Sequence, residues 1–483
     1  MRKITLCIIA VVCALPSLSG AQALRDDPRV ASSIHLLELW LDAQRAYEQI
    51  PGISMSVVHD QELLWSGGFG YADLGTKTPA TPRTIYSICS ISKLFTSIAV
   101  LQLRDRGRLR LDDQVSELLP WFTIRQAYPD GPPVTVQGIL THSSGLPRES
   151  DFPYWSPPDF RFPTREEVIE RLSSQETLYP GDTYFQYSNL GLTLAGEIVA
   201  QVSGRDYADY VKQNILDPLG LADTRPKLPE ELKGGQLATG YGAKTRDGIR
   251  NEMPLFQARG IAPAAGFSST VEDLARFASW QFHLLGGGSH EVLQPNTLRE
   301  MHRVHWLDPD WDTTWGLGFS VWQSNDKTFV GHGGSCPGYR SQLILQPKEK
   351  FAAVFMANAS GVNTGMYTER AYEIVTPAIA DALESPGTAV EPDPALEKYT
   401  GTYGGAPWGG ERAVLVWKGE LAMVSFPTND PLGGLVKLKH IEENTFRRVR
   451  DDGELGEKII FEEGRDGRIT RVWQNSNFRV KVR

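Results

Sequence analysis

Beyond its first 23 residues this 483-residue chain has no apolar run approaching the roughly 18 residues that cross a bilayer, which excludes a later membrane-spanning helix. It also lacks an excess of positive charge. Its 58 acidic residues outnumber 49 basic ones, and a net charge of −9 argues against nucleic acid or an anionic membrane surface as a partner. A small substrate is left open. No low-complexity tract and no internal repeat occur, and the composition, 41% hydrophobic and 22% charged, is that of an ordinary globular protein. The length allows two or three domains and a substantial core. The nine histidines form no metal-ligand spacing. His302 and His305 have no acidic or cysteine partner nearby and read as surface residues, so no metal and no cofactor are expected. Cysteine is scarce, and two of the four stand in the first 23 residues.

Those 23 residues, MRKITLCIIAVVCALPSLSGAQA, combine a basic start, a short apolar stretch and a terminal Ala21-Gln22-Ala23, the pattern of a secretory signal peptide. Neither Cys7 nor Cys13 follows the small residue that a lipoprotein signal needs. The expected mature protein is exported and soluble, periplasmic or secreted. Loss of Arg2 and Lys3 with the leader moves its charge from −9 to −11. Cys89 and Cys336 remain. In an oxidising compartment an even pair invites a disulfide, and two buried free thiols are the alternative.

Leu36, Leu37, Leu39, Trp40, Ala43 and Tyr47 recur at helical spacing and predict a helix over 32–50. Two strand-like runs come next, GISMSVVHD and ELLWSGGFGYAD, and then a helix from Ser90 that stops at Gly107. A middle section, roughly 110–310, mixes helices with Pro- and Gly-rich loops. Strands return at WGLGFSVWQS, KTFVGHGG, YRSQLILQPKEK and FAAVFMAN, before a helix over about 364–384. Strands at both ends with helices between predict one α+β domain over 24–384, its sheet joining the two ends. SPGTAVEPDP (385–394) reads as a linker. Residues 395–483 alternate in polarity between turn signals and predict a small antiparallel barrel.

Chemistry first appears at Ser90-Ile91-Ser92-Lys93. On a helix, residues three apart are neighbours, so Lys93 would sit beside Ser90. A serine is a poor nucleophile until a base takes its proton, and a lysine of lowered pKa can do so. One such tetrapeptide is expected by chance in about every chain of this length and composition. Its weight comes from three segments downstream: VTVQGILTHSSGLP (134–147), Tyr187-Ser188-Asn189 before a helix, and Val330-Gly331-His332-Gly333-Gly334-Ser335 near the end of a strand. The order S-x-x-K, Y-x-N, H-x-G resembles the serine beta-lactamase-like superfamily of class C beta-lactamases, DD-carboxypeptidases, D-aminopeptidases and esterases. The segments THSSGLP, PGDTYFQYSN, AAGFSSTVEDLARF and WGLGF extend the likeness over about residues 30–385.

The resemblance implies a beta-lactamase/transpeptidase-like fold, an antiparallel sheet flanked by helices plus an all-helical region. It implies Ser90 as nucleophile, Lys93 as base, and Tyr187, its pKa lowered by two cations, as proton shuttle. Asn189 would serve the substrate amide and the lysine. Ser90 and Ser335 would supply the oxyanion-hole N–H groups, with Gly333 and Gly334 letting substrate lie along the strand. His332 stands where beta-lactamases usually have lysine, which resembles the peptidase, aminopeptidase and esterase branches. Certain carbapenem-hydrolysing relatives bridge cysteines in the relative places of Cys89 and Cys336, and so imply that disulfide here. The final strands, entered through ALEKYTGTYGG, resemble a lipocalin-like barrel that in some members covers or shapes the active-site mouth. The expected reaction is hydrolysis of an amide of a small or D-residue-containing peptide through an acyl-enzyme. A beta-lactamase or short-chain esterase on the same residues, or a penicillin-binding sensor without turnover, are the alternatives. Specificity is expected from loops 148–180 and 225–262.

Overall fold

Helix α1 (Pro28–Tyr47) starts on an Asp27 cap with proline in its first turn, where a missing N–H costs nothing. This is the first element in a computed structural model that describes residues 24–288 and 290–483. The leader reading, with Cys7 and Cys13, lies outside the described residues.

Strands β1 (Gly52–His59) and β2 (Glu62–Asp73) form the predicted hairpin, followed by the two-residue strands β3 (Thr78–Pro79) and β4 (Tyr86–Ser87). A 3₁₀ turn, Cys89–Ile91, then leads into α2 (Ser92–Asp105). The sequence predicts a regular helix from Ser90. The α-helix begins two residues later: Cys89, with a φ of 50°, opens a 3₁₀ turn in which Ser92 N–H donates to the Cys89 carbonyl. The middle section holds α3 (Asn189–Ser203), the short β5 (Ser268–Ser269) and α4 (Val271–Leu285). Then come β6 (Trp306–Leu307), β7 (Thr314–Trp315), β8 (Ser320–Ser324), β9 (Lys327–Cys336), β10 (Tyr339–Gln346), β11 (Phe351–Ala357) and α5 (Thr364–Glu384).

Nine strands form one antiparallel sheet in the order β3-β2-β1-β11-β10-β9-β8-β7-β6. The two ends of the segment meet where β1 pairs with β11, from Ile53 opposite Ala357 to His59 opposite Phe351. Both strands are buried along almost their whole length because helices cover both faces. On one face α1 and α5 pack together, with Tyr367 between Trp40 and Phe355 at ring distances of 5.2 and 4.2 Å. On the other lies α4, whose Val271 carbonyl accepts from Ser56 at 2.9 Å. The helical region has its own core, in which Phe95 of α2 stacks on Phe267 and meets Phe277 at a tilt.

Strands β12 (Gly401–Gly404) through β19 (Asn477–Val480) form a second, eight-stranded antiparallel sheet. It closes into a barrel where Val482 N–H donates to the Thr402 carbonyl at 2.8 Å beside the Tyr403–Lys481 bridge. Residues of β13 (Glu411–Trp417) alternate in destination, as strand geometry requires. Val414 enters the barrel interior, while Ala413, Leu415 and Trp417 join the core around Leu37, Trp40 and Leu41 of α1. Trp40 Nε1 seals this contact by donating to the Thr428 carbonyl at 2.8 Å. The barrel therefore sits against α1 and α5. It does not cover the mouth as the resemblance implies: none of the residues lining the cavity at Ser90 belongs to it.

The reading of His302 and His305 as surface residues is also corrected. Both are partly buried, His302 between Phe319 and the Gln281 amide, and desolvation takes its pKa down to about 3. Among the described residues, no helix is long and apolar enough to cross a membrane and no cluster of ligating side chains could hold a metal ion.

Candidate active site

Lys93 is the most unusual side chain in the fold, a fully buried amine at 0% exposure in the first turn of α2. Burial of a charge that cannot be solvated pushes its pKa well below the ordinary lysine value, against the attraction of Glu149 and with the repulsion of Arg148. Three groups meet its Nζ: the Asn189 Oδ1 and Ala264 carbonyl at 2.8 Å each, and Ser90 Oγ at 3.2 Å. All three can accept from the ammonium; in the neutral form that burial favours, the two carbonyl oxygens take both N–H bonds and the lone pair faces the hydroxyl of Ser90.

Tyr187 and Asn189 reach the site through a tightly held turn. Ser188 caps α3, accepting from Gly191 N–H at 2.8 Å and donating to the Pro147 carbonyl at 2.6 Å. Asn189 is the first residue of that helix, not part of the preceding loop. Tyr187 differs from expectation. Lys93 and Arg148 do lie near it, at 4.8 and 4.9 Å, but over the face of its ring. Desolvation dominates and raises the phenol's pKa, with smaller opposing contributions from Ser90 and Arg148. Tyr187 holds its proton.

Strand β9 forms the other wall. β8 pairs with it only as far as Gly331, so the backbone of His332–Cys336 is open on the side away from β10. Gly334 is required for its close approach to the Ser90 turn: a Cβ there would lie 2.3 Å from the Ile88 carbonyl and 2.1 Å from Ser341 Oγ. Cys89 and Cys336, the neighbours of Ser90 and Ser335, are disulfide-bonded with Cα atoms 5.8 Å apart. Gly334→Ala is expected to lower kcat about 10²-fold with KM little changed, because it pushes β9 off the turn that carries Ser90. Steady-state kinetics with a chromogenic ester measures this, and a loss below threefold contradicts it.

His332 is buried, and desolvation above all takes its pKa down to about 3. Its Nδ1–H donates to the Gly333 carbonyl at 2.6 Å, which leaves Nε2 a bare, buried acceptor. The third motif thus presents a neutral ring and no cation.

Several residues here were not singled out from the sequence. His142, behind Tyr187 at a ring distance of 4.3 Å, accepts from Ser188 N–H through Nδ1. Arg148 and Glu149 come directly after THSSGLP, and a charged pair beyond that turn was the available signal. Arg340 stands opposite Ser335 in the β9–β10 register, which the short Pro337-Gly338 connection could have revealed. Arg148, Glu149 and Arg340, together with Ser90, Tyr187, Asn189 and the Gly333–Cys336 edge, line a cavity of about 630 Å³. Loop 148–180 contributes Arg148, Glu149 and Trp155, whereas loop 225–262 contributes no lining residue.

A buried lysine on a serine, beside an open strand edge, defines the class: the chain is a serine hydrolase. Residues 37–376 match the sequence model of the Beta-lactamase family, and the chain belongs to that family. It is 26% identical over 431 residues to Beta-lactamase-like protein 2 of Dictyostelium discoideum, across 83% of this chain and 76% of that protein. Among solved structures it is similar to the octameric penicillin-binding protein homologue from Pyrococcus abyssi. That likeness has 26% identity and a TM-score of 0.62, over 92% of this chain and 99% of the other. It is also similar to the D-amino acid amidase from Ochrobactrum anthropi SV3, with 25% identity and a TM-score of 0.57, over 73% and 98% of the two chains.

Proposed function

We propose that the protein is an exported hydrolase that cleaves an amide bond of a small or D-residue-containing peptide through a Ser90 acyl-enzyme. The observation that carries this is the buried Lys93 amine, with both N–H bonds accepted elsewhere and Ser90 Oγ at 3.2 Å. Lys93 takes the Ser90 proton as Oγ attacks the carbonyl carbon. The resulting oxyanion is held by the backbone N–H groups of Ser90 and Ser335. Tyr187, protonated in the resting site, hands its proton to the leaving nitrogen and recovers one from the Lys93 ammonium. Water then adds to the ester carbonyl, giving a proton to the Lys93 amine, and that proton passes to Ser90 Oγ as it leaves with the acid released.

An amide substrate is favoured by the open His332–Cys336 edge, which accepts an extended chain by main-chain hydrogen bonds. The likeness to a D-amino acid amidase points the same way. The neutral His332 lacks the permanent ammonium that would hold a beta-lactam carboxylate, which weighs against an efficient beta-lactamase. Export rests on the leader-like residues 1–23 and accords with the Cys89–Cys336 disulfide. In this reading 24–384 is the hydrolase domain, 385–394 a linker and 395–483 an appended barrel. No nucleic acid partner fits the acidic charge.

Of the two cations lining the cavity, Arg148 is paired with Glu149 at 3.2 Å and Arg340 is the one left for substrate. Its guanidinium faces the cavity without a hydrogen-bond or ion-pair partner among the described residues, and its Nε is buried. Arg340→Ala is expected to raise KM about 10- to 10²-fold for substrates with a free carboxylate and to leave neutral amides unchanged. A uniform effect on both sets counts against it.

A panel of D- and L-amino-acid amides, D-Ala-D-Ala peptides, p-nitrophenyl esters and a cephalosporin, with intact-mass detection of adducts, tests the whole reading. Turnover of the D-amides or D-peptides is expected. Fast cephalosporin hydrolysis would assign a beta-lactamase, activity on esters alone a short-chain carboxylesterase, and a long-lived adduct without product a penicillin-binding sensor.

A further inference from the structure

Asn189 faces Lys93 with an amide whose two ends are opposite in hydrogen-bonding character. Only its oxygen can accept the N–H of the lysine, so something must choose its orientation. The choice is made on the far side. Asn189 Nδ2 donates to both carboxylate oxygens of Glu149, at 2.9 Å each. A carboxylate accepts and cannot donate, so the flipped amide would set oxygen against oxygen there and N–H against N–H at Lys93. Glu149 is itself held: Tyr154, fully buried, donates to its Oε2, Arg148 Nε lies 3.2 Å from Oε1, and Gln175 donates to its carbonyl at 2.9 Å. The Arg148 carbonyl accepts from the N–H groups of Asn189 and Leu190, at 2.7 and 3.2 Å, so the same dipeptide clamps the first turn of α3.

We propose that Glu149 is a positioning residue: it holds the Asn189 amide with its oxygen toward Lys93 and so keeps the amine's lone pair on Ser90. This rests on Ser90 and Lys93 acting as proposed for the hydrolase. The charged or titratable groups facing Lys93 are Glu149, Arg148, Tyr187, His142 and His332. Both histidines are held neutral by burial and Tyr187 keeps its proton, so Glu149 and Arg148 carry the charge. Glu149 is the member that favours the protonated amine.

The test is Glu149→Gln, assayed in the full chain with a small p-nitrophenyl ester. Its amide lets Asn189 adopt either orientation and removes the charge. Expected are a 10- to 10²-fold lower kcat, a KM within about threefold of wild type, and an acid limb of kcat/KM displaced to lower pH. Glu149→Asp keeps the charge on a shorter side chain and is expected to lose kcat with the acid limb in place. A purely structural role would reduce the fraction of Ser90 labelled by a fluorophosphonate and leave both limbs alone. Wild-type kcat and pH profile in Glu149→Gln, or equal displacement in both variants, overturns the proposal. Turnover by Ser90→Ala would instead remove the reading on which it rests.

Discussion

Lys93→Met is expected to lower kcat/KM by about 10⁴-fold while leaving the protein folded. Methionine fills the channel of the lysine stem but has neither lone-pair base nor proton to return, so Ser90 keeps its hydroxyl proton and Tyr187 has no donor to recharge it. The stability consequence has a definite sign. Burial lowers the Lys93 pKa on folding, so below the unfolded-state value the chain must give up a proton to fold. That handicap is largest near and below the folded pKa and disappears as pH rises toward about 10.4. The methionine variant does not carry it, although Asn189 Oδ1 and the Ala264 carbonyl lose a donor, at about 1 to 3 kcal/mol each. The difference in Tm between variant and wild type should therefore move in favour of wild type between pH 7 and 10. Thermal melts across that range measure it. A difference independent of pH would mean that Lys93 is not an amine deprotonated by burial.

Ser90→Ala carries the second large effect. In the proposed reaction the hydroxyl oxygen is the atom that becomes covalently bound, and no neighbouring side chain can substitute for it: Ser335 lies on the opposite wall and Ser92 is committed to the Cys89 carbonyl and Phe267 N–H. Turnover is expected to fall about 10⁴-fold or more, to what oriented binding alone supplies. Substrate affinity should stay within a few-fold, because Ser90 Oγ has Lys93 as its hydrogen-bond partner and contributes little else to the cavity wall. Intact mass after treatment with a fluorophosphonate should show one adduct on wild type and none on the variant. Residual activity above a few per cent, or an adduct elsewhere in the chain, would remove Ser90 from the reaction.

These predictions depend on unequal parts of the chain's information. The Ser90–Lys93 pairing was legible because it is local. A spacing of three brings two side chains together in an α-helix or a 3₁₀ turn, so the error over where α2 begins did not disturb it. The strands of the sheet and barrel were legible from alternation and turn residues for the same reason. The state of Tyr187 was not. Its two cations were real, but whether they lower its pKa depends on the balance with burial, and burial is a property of everything packed around the ring. Glu149 escaped notice because its importance lies in an amide 40 residues away that it orients.

By itself the sequence determined the order of the elements, the serine-to-lysine spacing, the strand pattern of both sheets and the family to which the chain belongs. Each of these is written in neighbouring residues or in short motifs read in order. Only tertiary structure decided that β9 stands open beside Ser90, that cysteines 247 positions apart tie the two walls, that the barrel rests on α1 rather than over the cavity, and in which direction burial shifts Lys93, Tyr187 and His332. Those outcomes arise from desolvation and from contacts between distant segments, and neither exists until the chain has closed around them.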